Sequence, residues 1–262
     1  MGVVRIDRFE DQRLDGYRGV SDAELMRGRN HFIGEGRLVV GRLIAGGHRV
    51  LSVLVNETSH RALGESLSRL PADVPVYVCG NEGFASITGF NLHRGCLAIA
   101  ERPAERTVSE VARDAGVLLV LEGVTDPDNV GSAFRNAAAF GARVLLSPTC
   151  CDPLYRKAIR TSMGSTLAVP YARIADWPAR LSALKEDGFT IAALTPRPAA
   201  VELNKCARPA RVALLVGSEG PGLTDAAMQM SDLRVRIPTT AQVDSLNLAT
   251  ATGIALCHFA NP

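Results

Sequence analysis

The chain has 262 residues, 47% of them hydrophobic and 21% charged, with a formal net charge of +2. That is an ordinary globular balance, which excludes a disordered polyelectrolyte and leaves room for one large domain or two modest ones. No apolar stretch reaches transmembrane length, and the charged start MGVVRIDRFEDQRLDGYRG lacks the apolar run of a signal peptide.

Six cysteines (Cys79, Cys96, Cys150, Cys151, Cys206 and Cys257) form no Cys-x-x-Cys pair and do not cluster with the five histidines. Neither a metal site nor a disulfide framework is expected, and the reading is of a cytoplasmic protein with reduced thiols and no membrane partner. Lysine occurs only at Lys157, Lys185 and Lys205. The remaining basic residues are arginine, a bias that suits phosphate recognition and that genomic base composition also produces.

In residues 1–30 charges of both signs alternate closely, and Ser21 followed by Glu24 reads as the capped start of a short helix. From Phe32 an α/β pattern begins. A helix over 35–45 stops near Gly46 and Gly47, and an apolar strand follows at 50–55. A helix is expected over 59–70, a strand over 74–79, a short helical stretch near 81–88 and a closing strand at 97–100. Alternation at these lengths makes a small three-layer domain, residues 31–102, behind an N-terminal extension, 1–30. The charged stretch 101–114 contains Pro103 and has no wide apolar face, so 103–115 is read as a linker and 116–262 as a second domain.

The second domain has a clear rhythm. A strand at 117–121 leads to a helix over 130–140 ended by Gly141, a strand at 144–146 and a helix over 153–160. A helix over 177–185 follows, with strands at 190–194 and 212–216. Thr224 caps a short helix, a strand covers 235–237, and a long last helix runs over 245–259. Short, fully apolar strands between helices imply a mostly parallel sheet covered on both faces. Ligands bind such sheets outside the carboxyl ends of the strands, which directs attention to the loops after Leu121, Leu194, Val216 and Ile237.

Three segments there are unusual. In the first, Asp126-Pro127 shapes a turn and Asn129 is placed to cap the helix; Gly131 and Arg135, four apart, share a helix face. In the second, Gly217, Gly220 and Gly222 surround Glu219 directly after an apolar strand, so the backbone can turn sharply and approach a ligand. It is neither a P-loop nor a dinucleotide fingerprint, since the Lys-Ser/Thr pair and the Gly-x-Gly-x-x-Gly spacing are both missing. In the third, a polar loop after Ile237-Pro238 leads to Ser245-Leu246-Asn247, whose hydrogen-bonding side chains lie beside the free amides of a helix start; Ser245 or Asp244 is the expected cap.

Asn129-x-Gly131-x-x-x-Arg135, then Gly217-x-Glu219-Gly220-x-Gly222-Leu223, then Ile237-Pro238 with Ser245-Leu246-Asn247 resembles the ordered motifs of the SpoU/TrmH (SPOUT) RNA methyltransferases over about 145 residues. One departure is Ala249, where family members often carry serine. The resemblance implies an α/β fold, a parallel sheet of SPOUT type closed by a C-terminal deep trefoil knot, and a homodimer with the last helix near the interface. It also implies S-adenosylmethionine as cofactor, contacted by Leu194, Thr195, Gly217, Ile237 and Leu246. The matched residue for activating a ribose 2′-hydroxyl is Arg135. Because arginine stays protonated, it is read as an orienting and charge-stabilising group, held in register by Asn129, Glu219, Ser245 and Asn247.

Through the stretch from Glu35-Gly36-Arg37 to Gly89-Phe90-Asn91-Leu92-His93-Arg94-Gly95, residues 31–102 are similar to the small L30e-like, ribosomal-protein-type substrate-binding domain attached to many of these enzymes. Its Arg37, Arg42 and Arg94 are candidates to track the backbone of an rRNA or tRNA. The rival readings are a non-catalytic RNA-binding or ribosome-assembly factor of the same fold, and methylation of a base in place of a ribose.

Overall fold

In the computed structural model, residues 2–8, 10–18, 22–81, 84, 95–240 and 245–260 are described. The chain forms two compact units, Met1–Ala104 with Leu154–Leu167, and Glu105–Pro153 with Ala168–Pro262. No helix among the described residues is long and apolar enough to cross a membrane.

The first unit is built on strands β1 (Gly2–Arg5), β2 (His31–Glu35), β3 (Val50–Asn56), β4 (Pro75–Cys79) and β5 (Cys96–Glu101), side by side in the order β1-β4-β3-β5-β2. β1, β4 and β3 run parallel, while β5 is antiparallel to both β3 and β2. Successive strand residues point to opposite faces. Val53, Val55, Val76 and Val78 therefore join one buried cluster, while Leu54 and Tyr77 join another with Leu14, Tyr17 and Leu25. From the stretch expected as an extension, Gly2–Arg5 thus supply an edge strand, and Leu14, Tyr17 and Leu25 cover one face of this sheet. Ser21, the expected cap of α1 (Asp22–Arg29), lies outside the described residues, as does most of the expected helical stretch 81–88.

Glu35 was expected inside a helix, yet it ends β2 opposite Leu97; the chain turns at Gly36, φ 91°, and α2 is Arg37–Ala45. The helix expected over 59–70 is broken into α3 (Glu57–Ala62), capped by the Asn56 side chain, and α4 (Gly64–Leu67).

The second unit carries strands β6 (Val117–Glu122), β7 (Arg143–Leu146), β8 (Tyr171–Arg173), β9 (Thr190–Leu194), β10 (Val201–Glu202), β11 (Val212–Gly217) and β12 (Leu233–Arg236). Their order is β10-β12-β9-β11-β6-β7-β8, and every recorded pairing is parallel. β6 and β11 are buried along nearly their whole length, as central strands of a sheet covered on both faces must be. The short edge strands β8 and β10 were not foreseen.

Within the expected linker, residues Val108–Ala112 form helix α5. Thr107 accepts from the Glu110 amide and Glu110 reaches back to the Thr107 amide, a reciprocal cap. α6 is Pro127–Ala139, three residues earlier than expected. Asp126 is its cap, accepting from Asp128 N at 2.8 Å, and Pro127 occupies the first helical position, where no N–H is needed. Asn129 is therefore not the cap but a buried residue of the first turn.

The stretch Leu154–Leu167 between β7 and β8 belongs to the first unit. Its helix α7 (Arg156–Thr161) adds Ile159 to that core, and Arg156 is paired with Asp22 at 2.6 Å. The helix expected over 177–185 begins later, as α8 (Leu181–Glu186). Thr224 caps α9 (Asp225–Met230) as expected. The last helix, α10, is Leu248–Phe259 and not 245–259: its cap is Asn247, whose Oδ1 accepts from Ala249 N and Thr250 N.

Candidate active site

At the carboxyl ends of β9, β11 and β12 a cavity of about 360 Å³ opens in the second unit. Leu194 and Thr195 line it from β9 and the loop that follows, Gly217, Ser218, Glu219, Gly220 and Gly222 from the β11 loop, and Ile237 and Thr239 from beyond β12. Ser245, Leu246, Asn247 and Leu248 close it from the start of α10. The Leu194, Ile237 and Leu246 side chains are apolar, and the glycine loop offers backbone N–H and C=O groups, a mixture that suits a small ligand with a flat apolar part and polar edges.

The loop's shape follows from its glycines, for two different reasons. A Cβ on Gly217 would lie 2.2 Å from the Gly222 carbonyl carbon and 2.3 Å from Leu223 N, so the chain folds back against itself where only hydrogen fits. Gly220 and Gly222 have φ of 85° and 71°, the left-handed region that side chains avoid. The fold-back is pinned by Gly222 N donating to Ser218 O at 3.1 Å.

All five residues expected to contact a cofactor (Leu194, Thr195, Gly217, Ile237 and Leu246) line this cavity, and so do Glu219, Ser245 and Asn247. Asn247 joins two motifs: its Oδ1 caps α10, and its Nδ2 donates to Glu219 Oε1 at 3.2 Å. Asn129 and Arg135 are not among the lining residues; both belong to α6. Arg135 is exposed, and among the described residues it has no hydrogen bond or ion pair. α6 is tied to the first turn of α10 by Asn136 Nδ2 donating to Ala249 O at 2.7 Å. In the first unit Arg37 is exposed, and Arg42 donates to the Met163 carbonyl. Arg94 lies outside the described residues.

Two residues near these loops carried no local signal. Arg236 lines the cavity, its Nη2 donating to Glu202 Oε1 at 2.6 Å. The bonded Lys205 ammonium and the nearby Arg236 charge hold the Glu202 carboxyl below the usual carboxylate range. Glu122, at the end of β6, is a buried acid whose partners lie far away in sequence. Among the described residues, no group of His, Cys, Asp and Glu could hold a metal ion.

Residues 116–257 match the model of the SpoU rRNA Methylase family. An uncharacterized tRNA/rRNA methyltransferase of Mycobacterium tuberculosis is 44% identical over 254 residues, covering 94% of this chain and 88% of the relative. The 23S rRNA (guanosine(2553)-2'-O)-methyltransferase of Bacillus subtilis is 24% identical over 98% of this chain and 99% of its own. In fold, the chain is similar to the AdoMet-bound rRNA methyltransferase of Sinorhizobium meliloti, with a TM-score of 0.83, 24% identity and coverage of 98% and 97%. Matching motifs, a parallel sheet with its cavity at the carboxyl ends, and these likenesses agree: the chain belongs to the SpoU rRNA methylase family.

Proposed function

We propose that the chain transfers a methyl group from S-adenosylmethionine to a ribose 2′-hydroxyl of rRNA or tRNA. One observation carries the reading: segments from three separate stretches of sequence, around Gly217, Ile237 and Leu246, line a single cavity together with Glu219 and Asn247. The cavity fits the cofactor on the chain's own chemistry. Leu194, Ile237 and Leu246 suit the faces of an adenine, and the exposed backbone of the glycine loop suits its polar edges. When bound, the cofactor supplies an electrophilic methyl group on a sulfonium.

The residues' work is positioning and charge stabilisation, which for an in-line displacement is a large part of catalysis. Asn247, fixed at one end by the helix it caps, holds the Glu219 carboxylate beside the cavity. Arg135 orients the ribose and stabilises the negative charge on its 2′-oxygen as the hydroxyl proton passes to solvent; a permanently charged guanidinium with its donors unspent suits that role better than proton abstraction. Asn129 and Ser245 complete the set that keeps nucleophile and cofactor in register.

The first unit recruits the RNA as an L30e-like module centred on residues 31–102, with Arg37, Arg42 and Arg94 on its phosphates. The second unit carries the trefoil knot, the molecule works as a cytoplasmic homodimer through α10, and no metal takes part. Family membership supports these assignments.

The test is transfer of a labelled methyl group to unmodified rRNA or tRNA, followed by mapping of the modified nucleotide. An alkali-resistant linkage is expected, and an alkali-labile one carrying the label places the methyl on a base. Arg135→Ala is expected to lose transfer while keeping cofactor affinity by calorimetry. Wild-type turnover in that variant refutes its role, and transfer to no RNA favours a binding factor of the same fold.

A further inference from the structure

Glu122 ends β6 with only 5% of its surface exposed. In the parallel ladder its register partner is Gly217, the first residue of the glycine loop. Its carboxylate accepts three hydrogen bonds. Oε2 takes the Thr224 amide at 2.8 Å, and Oε1 takes the Thr224 hydroxyl at 2.7 Å and Trp177 Nε1 at 2.5 Å. Thr224 is the last residue of that loop, and its hydroxyl oxygen also caps α9 by accepting from Ala227 N at 3.2 Å. One residue therefore grips both ends of the segment 217–224, by backbone pairing at one and by side chain at the other. Between the grips lie Ser218, Glu219, Gly220 and Gly222, a large share of the cavity wall.

We propose that Glu122 is a positioning residue for the cofactor, closing the Gly217–Thr224 loop into the shape that forms this wall. The proposal rests on the reading of the cavity as the cofactor site. Glu122 touches no reacting atom; it acts through the loop. A carboxylate is required because each of its oxygens faces an N–H that cannot accept, the Thr224 amide at Oε2 and the Trp177 indole at Oε1. A glutamine must turn its NH₂ either on the Thr224 amide or on the Trp177 indole, donor against donor, and neither of those groups can rotate into an acceptor. Buried donors left facing a donor lose their hydrogen bonds outright.

Thr224→Val and Trp177→Phe each remove one bond to the same oxygen; Thr224→Val also removes the α9 cap, so both lower the melting temperature, but only Thr224 closes the loop. Calorimetry with S-adenosylhomocysteine, thermal melts and steady-state kinetics on the full chain separate the two. Thr224→Val is expected to weaken binding about tenfold, the loss of one hydrogen bond to a charged group. The KM for the cofactor rises with it while kcat at saturation holds. Trp177→Phe lowers the melting temperature and leaves affinity within about twofold of wild type, and Glu122→Gln weakens binding more than Thr224→Val does. Equal affinity losses in Thr224→Val and Trp177→Phe, or none in Thr224→Val, would overturn the positioning role. Absence of S-adenosylhomocysteine binding by the wild type would remove the cofactor reading, and this proposal with it.

Discussion

Gly217→Ala tests the architecture of the cavity at its tightest point. The added methyl would sit 2.2 Å from the Gly222 carbonyl carbon, 2.3 Å from Leu223 N and 2.5 Å from Gly222 O. Carbon atoms in contact settle at about 3.5–4 Å, so the Gly222–Leu223 peptide must retreat by roughly 1.5 Å. All three obstacles are backbone, and no rotamer change relieves them. Forcing a methyl into packed structure costs about 1–3 kcal/mol. A retreat of that size also stretches the 3.1 Å bond from Gly222 N to Ser218 O, worth about 1 kcal/mol. The strain of about 2–4 kcal/mol has two outlets: the loop moves into the cavity, or the unit loses stability. Calorimetry with S-adenosylhomocysteine is expected to show a drop of about 30-fold or more, the equivalent of about 2 kcal/mol. Any strain that the loop does not absorb lowers the melting temperature by about 2–4 °C per kcal/mol. Gly220→Ala is the control, because nothing lies within 4 Å of its added methyl and only the positive φ is at stake, costing about 1–2 kcal/mol. Wild-type affinity together with an unchanged melting temperature in Gly217→Ala would refute the close approach as the reason for this glycine.

Ile254 is exposed on α10 beside Thr250 and Cys257, the face proposed to meet a second copy. Ile254→Glu is expected to give a monomer by analytical ultracentrifugation, and a wild type that sediments as a monomer refutes the dimer. Asn136→Ala removes the bond to the Ala249 carbonyl, so unfolding in denaturant is expected to come about 1–3 kcal/mol more easily. An unchanged midpoint would mean that apolar contacts alone join α6 to α10. Partial burial pushes the Asp232 carboxyl up, but its bonds to Lys185 Nζ and Ile191 N outweigh this and hold it below the ordinary carboxylate range. Its contribution is complete above the unfolded value near 4 and is lost as pH falls through the depressed folded value. Asp232→Asn should therefore destabilise at pH 7 and converge on the wild type in acid melts; a constant gap across pH would refute the titration.

Much of the second unit was readable because its signals are local. The strand Thr190–Leu194 and the Thr224 cap fall where composition and spacing put them. Where local signals compete, tertiary structure decides between them. Asp126 and Asn129 are both good caps three residues apart, and the proline between them settles the matter by fitting the first helical position and not the turn before it. The Thr107-x-x-Glu110 signature was present in the charged stretch read as linker, but the helix it starts is a little over one turn long and shows too few apolar positions to reveal a face. Other features are invisible along the chain by nature. β1 is a strand only because β4 offers it an edge, and Leu154–Leu167 follows a strand of one unit yet packs in the core of the other.

The site shows the same division. The glycines around Glu219 are conspicuous because backbone geometry restricts residue type locally, whereas Glu122 looks like the polar end of an apolar run. Its bonding partners stand 55 and 102 residues away. Asn247 joins the two cases. The free amides of a helix start made a hydrogen-bonding side chain near there predictable, but whether it served the helix or the cavity could not be read from spacing. A single amide side chain does both, its oxygen on the helix and its nitrogen on Glu219. Capping and site-building at this position are therefore one requirement. An aspartate here would keep the cap and turn a carboxylate toward Glu219, and a serine would keep the cap and fall short of it.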